Sequence, residues 1–176
     1  MKSVLISIQP KWCELIANGE KTVEVRKTKP KLETPFKVYI YMTKEFNRGG
    51  NSCFYWYKNG KVIGEFVCEC VTSLKADNIV QAYYNNTQAT CLTDTEIMEY
   101  AKGGKLYYWH ISDLVIYDKP RELSEFKHEC NGICFDTKAR INCERFLKEG
   151  FSCDNLNPLK RPPQSWCYVE SEVEGD

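Results

Sequence analysis

Three charged residues that could bind a ligand or take part in catalysis lie close together, at Lys21, Glu24 and Arg26. Polar residues alternate with Val23 and Val25 in this stretch, which predicts a β-strand with Glu24 and Arg26 on one face and Lys21 at its start. Desolvating such a cluster costs free energy unless its members pair with each other or with a ligand. Two interpretations stay open: a ligand-binding site, and a solvent-exposed strand face whose Glu–Arg pair contributes about 0–1 kcal/mol.

A short helix precedes this strand and would set its position. Pro10 occupies the first helical position and Gly19 follows the last turn, which is the expected arrangement of helix ends. Apolar residues recur at helical spacing from Trp12 to Ile16, so this face of the helix is expected to pack inward. The alternating residues 3–8 predict a half-buried strand before the helix. The local order is therefore strand, helix, strand.

These residues resemble the signature of the ASCH domain, Q-P-x-x-x-x-x-I-x-x-G-x-K-x-x-E-x-R. The resemblance covers about residues 1–118 and is most specific over Ser7–Arg26. The segment Arg161–Glu170 resembles the ending of small bacterial and phage ASCH proteins. The positions that carry the first match are Leu5, Ser7, Ile8, Gln9, Pro10, Lys11, Trp12, Ile16, Gly19, Lys21, Glu24 and Arg26.

The resemblance implies a PUA-like fold, which is a small β-barrel, with a cleft at the helix-to-strand corner that binds RNA or a nucleoside. One branch of the family hydrolyses N4-acetylcytidine with a lysine, a threonine and a glutamate. Lys21 matches the lysine of that branch, whereas Glu24 occupies the position of the threonine. Binding of RNA or a nucleotide is thus the implied function, with amide hydrolysis through Lys21 and Glu24 as the alternative.

The rest of the chain also favours an α+β, mainly β fold. The Asn59-Gly60 pair predicts the turn of a β-hairpin, and Thr93–Glu96 is a capping box that opens a helix reaching about Tyr100. Five or six strands with short links predict a small closed or nearly closed barrel with peripheral helices. Besides those near the N-terminus, strands are predicted at residues 37–42, 53–57, 61–72 and 106–117.

A change of composition after residue 118 divides the chain into a predicted barrel, 1–118, and a cysteine-containing extension, 119–176. The alternating segment 165–170 is expected to return to the N-terminal strand and to bring Ser165 near the cleft. The extension also carries candidate ligands for a structural zinc, at Cys130, Cys134, Cys143 and Cys153. The alternative is that these residues are ordinary thiols, and no cofactor is otherwise required.

The charge balance limits the class of nucleic acid that the protein could bind. The 176 residues include 24 lysines and arginines and 24 acidic residues, so the net charge is zero. This argues against a binder of long duplexes, which gains its affinity from a basic face. Residues 1–40 are basic, which suits a short single strand or one nucleotide. No signal-peptide pattern or membrane-spanning run is present, so we expect a cytoplasmic protein without a membrane partner.

The favoured hypothesis is a module that binds RNA or a modified nucleoside through stacking aromatics, with Lys21 and Arg26 facing phosphate and Glu24 accepting from a base amino group. Amide hydrolysis is the alternative, and it requires burial or a nearby cation to lower the pKa of Lys21. A protein-interaction role for the extension is a third hypothesis. The candidate ligand-binding residues are Gln9, Trp12, Lys21, Glu24, Arg26, Tyr41, Glu65, Trp109 and Ser165, with Tyr39 and Tyr107 as further stacking candidates.

Overall fold

A six-stranded sheet is the main element of the computed structural model, which describes residues 2–44, 59–75, 88–127 and 158–170. In chain order its elements are β1 (Lys2–Ile8), α1 (Pro10–Ala17), β2 (Val23–Arg26), β3 (Phe36–Met42), β4 (Val62–Lys75), α2 (Asp94–Ala101), β5 (Lys105–Arg121), a short 3-10 helix (Leu123–Glu125) and β6 (Trp166–Glu170). The order of strands across the sheet is β2-β5-β4-β3-β1-β6. β1 and β3 are parallel, and the other pairs are antiparallel.

The predicted α+β, mainly β class is confirmed, and most elements lie where the sequence places them. The turn at Asn59-Gly60 leads into β4, and Gly60 donates its N–H to Met42 O at 3.0 Å, so β4 pairs with β3. The other predicted hairpin arm, 53–57, lies outside the described residues. β5 continues past residue 118, and the proposed division of the chain there stays a prediction.

Hydrophobic cores cover both faces of β1, so this strand is not half-buried as predicted. It lies between β3 and β6, and the β6 pairing matches the returning strand expected from the sequence. Val4, Ile6 and Ile8 face a core that includes the buried side of α1, whereas Leu5 faces a second core on the opposite side of the sheet. Alternation in one segment cannot predict this, because the covering residues come from distant parts of the chain.

The two end strands, β2 and β6, approach each other without pairing, so the described strands do not close into a hydrogen-bonded barrel. Side chains bridge this gap, which we call the seam. Arg26 of β2 donates from Nη2 to Ser7 O at 2.6 Å and from Nη1 to Ser165 Oγ at 3.5 Å. Trp166 Nε1 donates to Thr28 Oγ1 at 3.0 Å. The sheet therefore curls until its ends meet through side chains.

The helices are short and lie at the periphery of the sheet. α1 packs on the core that it shares with β1 and β3, and α2 packs Ile97 and Ala101 against Val23 and Val25 of β2. No helix within the described ranges is long and apolar enough to cross a membrane. α2 thus packs on β2, which carries charged residues, and α1 precedes this strand in the chain.

Candidate functional site

The corner between α1 and β2 follows from two local signals. Pro10 begins the helix, and Gly19, with a φ of +76°, reverses the chain after the last turn. The reversal lets Lys21 donate its N–H to Leu15 O at 2.9 Å, so Lys21 is held against the end of the helix. β2 then begins at Val23 and carries the next two charged residues.

Lys21, Glu24 and Arg26 form one buried charged cluster, with exposed fractions of 2%, 6% and 8%. Glu24 bridges the two cations: its Oε2 lies 3.4 Å from Lys21 Nζ, and its Oε1 lies 3.0 Å from Arg26 Nε. The Arg26 Nε–H is not directed at the carboxylate, so this contact is an ion pair rather than a hydrogen bond. Pairing among the three charges offsets part of the free energy that their desolvation costs.

The cations of the charged cluster are also bound to protein oxygens. Lys21 Nζ donates to Val23 O at 2.8 Å and to Thr90 O at 2.7 Å, in addition to its contact with Glu24. Two of the three ammonium hydrogens are thus donated to backbone carbonyls, and Glu24 pairs with the charge. Arg26 is engaged in the same way across the seam. Both residues are predicted to face phosphate, but Lys21 Nζ and the Arg26 Nη atoms donate to protein oxygens, whereas the buried Arg26 Nε has no hydrogen-bond partner among the described residues.

Burial lowers the pKa of Lys21, because a charged ammonium is poorly solvated in the interior. The nearby Glu24 carboxylate raises this pKa in part, since it stabilises the charged form, and Arg26 lowers it further. The net direction is downward. This favours a Lys21 amine that can lose its proton at a lower pH than a solvent-exposed lysine.

A cleft of about 820 Å³ opens above the charged cluster. Its volume lies in the range of small-molecule binding sites, roughly 300–1,000 Å³. One wall comes from the start of α1, a second from α2 and Leu92, two residues before that helix, and a third from the segment before β6. The lining residues are Ser7, Ile8, Gln9, Trp12, Lys21, Glu24, Val25, Arg26, Thr43, Leu92, Glu96, Glu99, Tyr100, Pro162, Pro163 and Gln164.

Most of the residues predicted to bind a ligand meet at this cleft. Gln9, Trp12 and the charged cluster line it. Gln9 is the N-cap of α1, but its side chain makes no capping hydrogen bond and stays available to a ligand. Ser165 lies beside the wall formed by residues 162–164 and contacts Arg26 through its hydroxyl. The structure brings these side chains together from both ends of the chain.

Tyr41, Glu65 and Trp109, which are also predicted to bind a ligand, are not among the residues that line the cleft. Tyr41 is buried in the second core, on the far side of the sheet. Glu65 accepts a hydrogen bond from Tyr117 and pairs with Lys37 at 3.0 Å. Trp109 is fully buried in the core beside α1. Alternation separates the two faces of each strand, but it does not reveal that other segments cover both faces.

α2 contributes to the cleft, which the sequence did not predict. The predicted capping box of α2 is present, with Glu96 N–H donating to Thr93 Oγ1 at 3.2 Å. The helix also brings Tyr100 and Glu99 to the cleft. Tyr100 is 37% exposed, and Lys27 Nζ lies 4.8 Å from the centre of its ring. No local signal predicts which surface a helix covers, so these residues could not be assigned in advance.

Metal binding by the extension has no test in the described residues. Cys130, Cys134, Cys143 and Cys153 lie outside the described ranges. Within those ranges, no group of three or more histidine, cysteine or acidic residues is arranged to hold a metal ion. The zinc hypothesis therefore stays a prediction.

Comparison with known families matches the ASCH domain to residues 6–131, well over half of the chain. No curated protein matches the chain by sequence. The matched range contains the whole charged cluster and both helices. It also includes the first five strands of the sheet except the beginning of β1.

Solved structures similar to this chain include crystal structures of an ASCH protein from Zymomonas mobilis. A tyrosine-to-phenylalanine variant has a TM-score of 0.60 at 18% identity, covering 97% of this chain and 91% of that chain. The unsubstituted protein has a TM-score of 0.57 at 18% identity, with coverages of 97% and 89%. A serine-to-alanine variant gives 0.55 at 17% identity, with coverages of 96% and 88%. At 17–18% sequence identity, these similarities show a shared fold and nothing more.

Proposed function

This chain belongs to the ASCH domain family, within the PUA-like superfamily, and on that premise we propose that its cleft binds one nucleoside unit of an RNA strand. The base enters the cleft and the sugar–phosphate backbone stays at the rim. The observation that carries the proposal is the shape and lining of the cleft, in which two aromatic side chains, Trp12 and Tyr100, stand above a buried carboxylate, Glu24.

Aromatic and amide groups in the cleft suit a nucleobase. A base stacked on an aromatic side chain gains on the order of 1–3 kcal/mol. The Glu24 carboxylate can accept a hydrogen bond from a base amino group, since each of its oxygens has a second lone pair. The exposed amides of Gln9 and Gln164 offer both donors and acceptors at the opening.

Cations at the rim, rather than the charged cluster, suit the phosphates. Lys21 and Arg26 direct their donors at protein oxygens. Lys27 stands beside Tyr100, and the exposed Lys160 and Arg161 directly precede the lining residue Pro162. A few exposed cations of this kind give modest, salt-dependent affinity for a short single strand.

Binding of a labelled short single-stranded RNA, followed by fluorescence anisotropy, tests this proposal. We expect Tyr100→Ala to weaken binding by about tenfold, because a stacking partner is lost. Tyr100→Phe keeps the ring and should bind like the wild type, so it serves as the matched control. Lys27→Met should reduce the salt dependence, whereas Lys37→Met, on the far side of the sheet, should not. A folded wild type that binds no RNA, or Tyr100→Ala binding with unchanged affinity, would rule the proposal out.

A second candidate function, hydrolysis of an N4-acylated cytidine, is favoured by the lowered pKa of Lys21 beside Glu24. In this reaction water cleaves the amide bond of N4-acetylcytidine to give cytidine and acetate. Lys21 accepts a proton from the attacking water and returns it to the leaving N4 nitrogen as the C–N bond breaks. Only the neutral amine can accept it, so the rate should rise with pH and then level off below the range of a solvent-exposed lysine. Chromatography should show cytidine with the wild type and none with Lys21→Met. If the wild type releases no cytidine, this candidate is excluded.

A further inference from the structure

The formal charges that line the cleft do not balance. Two cations, Lys21 and Arg26, face three carboxylates, Glu24, Glu96 and Glu99, which leaves a net charge of 2 − 3 = −1. Both cations belong to the buried charged cluster and are occupied by Glu24 and by other protein groups. Among the lining residues the excess of negative charge therefore lies on the α2 side of the cleft, where Glu96 and Glu99 stand. Lys27, beside Tyr100, and Lys11 are exposed cations at the rim of this side.

The ammonium of Lys11 lies at this side of the cleft and pairs with Glu96. Lys11 Nζ is 4.3 Å from the centre of the Trp12 ring and 3.9 Å from Glu96 Oε1. The side chain of Lys11 is 67% exposed, so it can swing into solvent without breaking a packed core. An aromatic face and a carboxylate thus already hold a positive group at the mouth of the cleft, and that group is displaceable.

We infer that the cleft selects a nucleoside whose base carries a positive charge, and that such a base replaces the Lys11 ammonium between Trp12 and Glu96. The inference rests on the proposed nucleoside binding and specifies the class of base. A flat cationic ring gains both stacking and cation–π attraction on an aromatic side chain. The carboxylates of Glu96 and Glu99 then attract the charge that Lys11 had balanced. Methylation of a ring nitrogen is the simplest chemistry that gives a base this charge.

Two isomeric nucleosides of equal size separate the effect of charge on affinity from the effect of size. 1-Methyladenosine is protonated and cationic at neutral pH, whereas N6-methyladenosine has the same heavy atoms and is neutral. Calorimetric titration of the whole protein with each nucleoside should show about tenfold tighter binding of the cationic isomer. This tenfold ratio corresponds to about 1.4 kcal/mol, which a cation–π contact partly shielded from solvent can supply.

Two substitutions test which side chains discriminate between the cationic and the neutral base. Glu99→Gln should lower the affinity for 1-methyladenosine about threefold and leave N6-methyladenosine unchanged, while Glu33→Gln, outside the cleft, should alter neither. Lys11→Met removes the competing ammonium, so it should tighten binding of the cationic isomer by at least threefold. Lys119→Met, an exposed lysine on β5, is the control for a simple change of net charge.

The outcomes separate this inference from the proposed function. Preference for the cationic isomer that rises in Lys11→Met and falls in Glu99→Gln supports it. Equal affinity for the two isomers, or preference for the neutral one, overturns the charge selection and leaves nucleoside binding intact. Failure of both isomers to bind, together with failure of RNA to bind, overturns both proposals. Binding of RNA with no binding of either nucleoside overturns the inference alone.

Discussion

At the scale of single residues, Glu24 has the central position because it pairs with both buried cations. A buried ion pair that loses one member leaves an uncompensated charge, and this costs far more than the loss of an exposed pair. Lys21 and Glu24 form a pair that is almost inaccessible to solvent, whereas Lys37 and Glu65 form a partly exposed one. The two pairs join the same residue types, so they allow a direct comparison of burial.

We expect Lys21→Met to lower the free energy of unfolding by about 3–5 kcal/mol, because Glu24 keeps only Arg26 and the carbonyls of Val23 and Thr90 lose a donor. Lys37→Met should cost no more than about 1 kcal/mol, since its pair is screened by solvent. Urea denaturation followed by tryptophan fluorescence measures both. Equal losses in the two variants would contradict the assignment of Lys21 as a member of a buried network.

The sequence predicts the members of the charged cluster but not their roles. Spacing along β2 and the reversal at Gly19 are local properties, so Lys21, Glu24 and Arg26 could be placed on one site in advance. Their hydrogen-bond partners, such as Ser7 and Thr90, come from remote segments. The assignment of Lys21 and Arg26 to phosphate depended on those partners, and it could not be tested from spacing alone.

At the scale of elements, two glycines occupy positions that other residues would fill only at a cost in stability. Gly19 adopts a φ of +76° in the turn after α1, and a Cβ there would meet no other atom. Gly64 lies in β4 where the pairing with β5 shifts register, and a Cβ there would collide with the carbonyl oxygen of Val115. Gly19 is required for its backbone conformation, whereas Gly64 is required because there is no room for a side chain.

Gly19→Ala should therefore cost only about 1 kcal/mol of stability, which is the usual strain of a left-handed alanine. Gly64→Ala should cost more than about 2 kcal/mol, because the backbone of β5 must move. Thermal unfolding of the two variants under identical conditions gives the comparison. A larger loss for Gly19→Ala than for Gly64→Ala would show that the β4–β5 contact is looser than described.

The ends of both helices could be predicted because their signals are short-range. Pro10 and Gly19 delimit α1, and the box at Thr93 and Glu96 begins α2. The position of α2 over the cleft depends on its packing against Val23 and Val25 of β2, far away in sequence. The sequence therefore could not assign Tyr100 to the cleft.

At the scale of the whole molecule, the seam joins β2 to the start of β6, which the β1–β6 ladder already holds to the N-terminal strand. Arg26 reaches from β2 to Ser7 and Ser165, and Ser7 also binds Ser165 O through its N–H at 2.9 Å. A guanidinium can serve several acceptors in fixed directions, whereas an ammonium on a flexible stem cannot reproduce that geometry. The seam should therefore depend on arginine specifically.

Arg26→Lys should speed hydrogen exchange at the amides of Ser7 and of β6 by about tenfold, which corresponds to about 1.4 kcal/mol less protection. Arg161→Lys, an exposed change in the segment before β6, is the matched control and should leave these amides unchanged. Exchange read by mass spectrometry locates the effect. Uniform acceleration across all strands would indicate global destabilisation rather than an opened seam.

The fold class followed from alternation, turn residues and the resemblance to ASCH proteins, but the strand order did not. No local pattern states that β2 pairs with β5 while β1 pairs with β3. The barrel prediction was close in shape, since the sheet curls until its ends meet. Side chains such as Arg26 and Trp166, rather than a backbone ladder, join those ends.

The pairing of β1 with β6 has a consequence for synthesis on the ribosome. When residues 2–127 have emerged, the other five described strands can assemble, yet β1 still has one open edge. An open, apolar strand edge is a template for association with other chains. Nascent or prematurely terminated chains that lack residues 166–170 should therefore depend on chaperones, even though the cleft uses mainly residues made long before.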